Sequence, residues 1–81
     1  KTIPKAFVLI NSDLGHEDDI VQSLKQIDNV VSVQGTYGAY DIIAEVEADS
    51  KEELRETIIW KIRKMDRVRS TLTLMGIEGQ S

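Results

Sequence analysis

An α+β fold, a four-stranded antiparallel sheet carrying two helices on one face, is predicted by three features of this 81-residue chain. Two segments place apolar residues at the 3.6-residue spacing of an amphipathic helix. Four others are short apolar or alternating runs of strand length. The two kinds follow each other as β-α-β-β-α-β, and each strand–helix–strand crossover must be right-handed. The compact arrangement left by these constraints has the strand order 4-1-3-2.

The first strand is Lys5 to Asn11 (KAFVLIN), a nearly continuous apolar run behind the only proline, Pro4. Such a run reads as a strand covered on both faces. After a loop over Ser12 to Gly15, the acidic cluster Glu17, Asp18 and Asp19 opens a helix, where carboxylates suit the positive end of the dipole. Gly15 is the expected N-cap. Ile20, Leu24 and Ile27 form its buried stripe with Val21 at the edge, and Asp28-Asn29 closes it.

Val30 to Tyr37 alternates, with Val31, Val33, Gly35 and Tyr37 on one face. Tyr40 to Glu47 alternates too: Tyr40, Ile42, Ala44 and Val46 point one way, Asp41, Ile43, Glu45 and Glu47 the other. The short connection around Gly38 makes these two a hairpin. Ser50 and Glu53 form a capping box for the second helix, whose inward stripe is Leu54, Ile58, Ile62 and Met65. Val68 to Ile77 is the last strand, and Gly79 to Ser81 a frayed tail. The whole, residues 1–81, is one domain on the ferredoxin-like plan.

Composition narrows the function. The chain has no cysteine and one histidine, His16, which excludes disulfides and a structural zinc site. Its net charge of −4 has the wrong sign for a protein living on nucleic-acid phosphates. No apolar run reaches membrane-spanning length and no signal peptide is visible, so a cytoplasmic protein is expected. Phosphate loops and metal-ligand spacings are absent, and no cofactor is expected. His16, without a nucleophile or a second ligand, reads as a helix-start surface residue. The run Arg63 to Arg69 (RKMDRVR) reads as a solvated helix end.

A small domain without disulfides or metal commonly gains stability by oligomerising. Two helices roof only one side of this sheet, yet Ala6, Val8 and Ile10 face one way and Phe7 and Leu9 the other. Leu72 and Leu74 likewise oppose Met75 and Ile77. An apolar patch of that size is the mark of an interface, and a sheet-to-sheet dimer through Phe7 and Leu9 is the expected cover. Trp60 lies roughly 200° around the helix from Ile58, among charged residues, with Ile59 at the flank. An outward tryptophan points to further assembly.

The turn Gly38-Ala39-Tyr40-Asp41 reads either as a tight bend, with Asp41 bonding local amides, or as a backbone-lined pocket with a carboxylate. Here the residues resemble a known family. The first strand AFVLIN, the acidic helix ending LKQIDNV, then GAYDIIAEVEA, the SKEEL cap and the Thr71-Leu72-Thr73 strand are similar to the effector-binding domain of Lrp/AsnC transcription regulators, also called RAM. The resemblance spans Lys5 to Ile77. It implies sheet-paired dimers that build octamers or decamers and an amino acid bound between dimers at the β2–β3 turn.

Carried onto this chain, the resemblance implies the following site. Thr36 and Gly38 give the turn backbone that receives the ligand carboxylate, Asp41 meets its ammonium, and Tyr37 or Tyr40 walls its side chain. Thr71 and Thr73 add hydroxyls from a neighbouring subunit. No helix-turn-helix precedes the first strand, so a stand-alone member of archaeal type is expected, acting through mixed assembly with DNA-binding relatives rather than on nucleic acid directly. Two alternatives stand beside this sensor: an assembly scaffold without ligand, and a small enzyme of the dimeric α+β barrel type. The inward residues are Val, Ile, Leu and Met, which offer no catalytic group, so the chain is expected not to be an enzyme.

Overall fold

The computed structural model describes residues 3–76. It contains β1 (Lys5–Ser12), α1 (Glu17–Lys25), β2 (Val30–Gly35), β3 (Ile42–Glu47), α2 (Lys51–Glu56) running on into a π-helical segment (Thr57–Ile62), and β4 (Val68–Met75). The sheet order is β2-β3-β1-β4, the same as 4-1-3-2 read from the other edge. All three pairings are antiparallel. Ile77 and the tail lie outside the described residues. Among these, no helix is long and apolar enough to cross a membrane.

One face of the sheet and both helices enclose the core. Ala6, Val8 and Ile10 of β1 and Ile42, Ala44 and Val46 of β3 are buried against Ile20 and Leu24 of α1 and Leu54, Ile58 and Ile62 of the second helix. The period-two and period-3.6 patterns thus converge on one layer. Ser50 caps α2 as its sequence requires, its side chain accepting the Glu53 N–H at 3.1 Å. At α1 the N-cap is His16, not Gly15. Gly15 sits one residue earlier at φ +82°, turning the chain into the helix, where a side chain would be strained.

The strands depart from simple alternation in two places. Val30 faces Val46 while Ser32 faces Glu45, so Val31 is an extra residue on β2. This bulge brings Val30 onto the core beside Val33 and leaves Val31 exposed. The expected pairing of Val31 with Val33 on one face is therefore corrected. β2 also stops at Gly35, short of Tyr37, because the Thr36 amide already donates to the Asp41 carbonyl at 2.8 Å and closes the hairpin. β3 begins at Ile42 rather than Tyr40.

The second helix is not uniformly α. Across Thr57–Ile62 it widens to π, with the Arg63 amide donating to the Ile58 carbonyl at 2.9 Å. The extra residue in the turn lets adjacent Thr57 and Ile58 both be buried without losing Ile62 from the core. A polar hub holds it. Thr57 Oγ1 donates to Asn29 Oδ1 at 3.3 Å, and Asn29 Nδ2 donates to the Glu47 carbonyl at 3.0 Å and to Glu53 Oε2 at 3.1 Å.

Asn29→Ala strips the buried Thr57 hydroxyl of its acceptor and unties three elements. The expected loss is about 2 kcal/mol, read as a melting temperature lowered by about 8–16 °C. A shift within error of wild type would remove Asn29 from this role.

Candidate ligand turn and assembly faces

The β2–β3 connection is a loop from Thr36 to Asp41 clamped at its base. Besides the Thr36–Asp41 backbone bond, Thr36 Oγ1 donates to the Tyr40 carbonyl at 2.6 Å. Gly38 has φ +120° and open space where a Cβ would be, so the requirement for glycine here is conformational. Among the described residues, the amides of Tyr37, Gly38, Ala39 and Tyr40 form no hydrogen bond. Four successive N–H groups on this exposed loop are thus left to solvent or to a bound partner. Tyr37 is fully exposed and Tyr40 half-buried.

Asp41 lies at the foot of this loop. Its Oδ2 accepts the Ser12 amide at 3.0 Å and the Ser12 hydroxyl at 3.4 Å. Ser12 is buried, and this carboxylate satisfies its backbone where β1 and β3 part. The amide that Asp41 bonds is thus distant in sequence, not the local one a tight bend would use. Among the described residues Oδ1 carries no hydrogen bond. Ser12 is a partner that sequence reasoning missed, since nothing local ties it to Asp41.

Thr71 and Thr73 are not brought to the turn within one chain. They lie on β4 opposite Ile10 and Val8, on the helix side of the sheet. Two strand spacings, about 10 Å, separate Thr71 from the start of β3. Thr71 Oγ1 accepts the Arg63 Nε–H at 3.4 Å. His16 keeps its ring beside Asp19, 3.2 Å from Oδ2. Among the described residues no cluster could hold a metal ion.

On the open face of the sheet, Phe7 stands opposite Leu74 and Glu45, and Leu9 opposite Leu72 and Ile43. Phe7, Leu72 and Leu74 are 39%, 44% and 52% exposed. Ile43, Leu72 and Leu74 join Phe7 and Leu9 in one apolar stripe, which the parity of the strands could have disclosed. Lys5 borders it, with Nζ at 2.9 Å from Glu45 Oε2 and 3.7 Å from Glu47 Oε2. The hydrogen bond to Glu45 holds the Lys5 ammonium above the usual lysine range, and Lys5 in turn holds Glu45 below the usual carboxylate range.

On the far side of the molecule Trp60 is 65% exposed, with Lys64 Nζ 5.3 Å from its ring centroid. Ile59 is half-buried beside it.

The family model for the Lrp/AsnC ligand-binding domain matches residues 5–78. Among solved structures, FFRP-DM1 is 34% identical over 91% of this chain and 99% of its own, with a TM-score of 0.88. The hypothetical protein PHS023 from Pyrococcus horikoshii is also 34% identical, over 91% of this chain and 89% of that one, at a TM-score of 0.86. Escherichia coli AsnC is 26% identical with a TM-score of 0.85; 93% of this chain aligns with 51% of that longer protein. No curated protein sequence matches the chain. With the whole sheet and both helices inside the matched region, the chain belongs to the Lrp/AsnC ligand-binding domain family.

Proposed function

We propose that this chain is an amino-acid-responsive assembly module that modulates transcription by combining with DNA-binding members of its family. The observation that carries this reading is the loop from Tyr37 to Tyr40, whose amides are free to receive a carboxylate and which runs directly into Asp41. An α-amino acid presents a carboxylate and an ammonium a few ångströms apart, which suits this pairing of N–H donors with an anion. Gly38 keeps the approach clear, Thr36 fixes the loop base, and Tyr37 and Tyr40 border the side chain. Thr71 and Thr73 complete the site only when a neighbouring copy supplies them.

Two copies pair through the stripe around Phe7 and Leu9, and dimers join through the Ile59–Trp60 face to form octamers or decamers. The role is regulatory rather than catalytic. Calorimetric titration with the twenty amino acids tests the reading, alongside the native mass with and without ligand. One or a few should bind between about 1 µM and 1 mM.

The scaffold alternative has one observation in its favour, the engagement of Asp41 Oδ2 by Ser12. An absence of heat and of thermal shift with every amino acid would establish that alternative instead.

A further inference from the structure

A hollow of about 260 Å3 opens at the free edge of β4 and is lined by Arg63, Val68, Arg69, Ser70 and Thr71. Two arginines from different elements line it. Arg63 follows the π-helical segment, and its Nε–H bond to Thr71 at 3.4 Å lays the fork against the strand. Arg69 arrives through a bulge: one step on β1, Asn11 to Ser12, matches two on β4, Ser70 to Val68, leaving Arg69 as the extra residue. A bulge of this kind re-aims side chains out of alternation. Here it lets Val68 pack on the core while Arg69 lines the hollow beside it.

The backbone adds a donor. The Ile10 carbonyl accepts from Asp41 on the β3 side, and the Lys5 carbonyl accepts from Gly76 on the β4 side. Alternation along the ladder then turns Ser70, Leu72 and Leu74 toward β1 and the N–H of Thr71 toward the free edge. Among the described residues no carboxylate lines the hollow and neither arginine makes an ion pair. This occurs in a chain with 14 acidic against 10 basic residues. A helix C-terminus accounts for a cation at Arg63, but not for Arg69 on a strand.

We propose that this hollow is an anion-binding site for the carboxylate or phosphate group of a small metabolite. One oxygen is received by the Arg63 fork, another by Arg69 and the Thr71 amide, the geometry in which arginine binds oxyanions best. Within one chain the hollow lies apart from the β2–β3 turn and shares only Thr71 with the proposed amino-acid site, lending its amide here and its hydroxyl to the turn of a neighbouring copy; it does not rest on that turn binding an amino acid.

Nitrogen-15 NMR titrations of the intact chain with sodium phosphate and with disodium succinate, each against sodium chloride at matched ionic strength, test it. Saturable shifts of the Thr71 amide and Arg63 Nε–H are expected. They should weaken about tenfold or more in Arg63→Gln and in Arg69→Gln, and persist in Asp41→Asn. The tighter-binding of phosphate and succinate identifies the source of the anion. Shifts that rise linearly and match chloride, or saturable shifts that neither arginine variant alters, would overturn the site.

Discussion

Phe7→Lys is expected to convert the protein into a folded monomer at micromolar concentration. The side chain is 39% exposed in the single chain, so the lysine head reaches water and the fold bears little cost. In a two-fold sheet-to-sheet dimer the same lysine appears twice at the centre of the stripe formed with Leu9, Ile43, Leu72 and Leu74. Burying a large apolar side chain is worth about 1.5–3 kcal/mol. With about two fifths of that area left to bury on each copy, losing two weakens association by about 10- to 50-fold, and burying two ammonium groups weakens it further. Sedimentation velocity reads the mass, and far-ultraviolet circular dichroism confirms the fold. Leu9→Lys should behave alike. A Phe7→Lys protein that keeps the wild-type mass would place the dimer contact elsewhere.

The second large effect is expected at Asp41, where two substitutions divide two roles. Asp41→Ala removes the acceptor of the buried Ser12 amide. An unpartnered buried N–H costs about 1–3 kcal/mol, or about 5–20 °C in melting temperature for a domain of this size. Amino-acid binding should vanish with it. Asp41→Asn keeps an oxygen for Ser12 but loses the negative charge that a ligand ammonium needs. It should melt within a few degrees of wild type while binding about tenfold or more weakly, since charge-assisted bonds are about twice as strong as neutral ones. An Asn variant with wild-type affinity would leave Asp41 a purely structural residue. Its bond to Ser12 would then be its whole role.

Much of the architecture was legible in the residues alone. The cap at Ser50 marks where α2 begins, and the pair Ile20 and Leu24 on α1 and the alternation of Ile42, Ala44 and Val46 on β3 encode which face each element buries; Ile27 packs on the core from just past the end of α1. With right-handed crossovers, these were enough to order the sheet. Trp60 was legible as an outward residue because helical spacing decides it within one turn. The ligand turn was legible as a loop around Gly38, though not that Tyr37 leaves the strand, since that depends on where Thr36 meets Asp41.

What the sequence determined by itself is therefore everything local in origin: the elements, their faces, the sheet order and the surplus of apolar surface at Phe7 and Leu9. Only the tertiary structure decided the bulges at Val31 and Arg69, the π turn that buries Thr57 and Ile58 together, the commitment of Asp41 to Ser12, and the placing of Arg63 and Arg69 along one hollow. The physical reason is common to all of these. A repeating pattern fixes how a segment presents its side chains, but the register between segments far apart is settled by the pairing and packing of the assembled sheet.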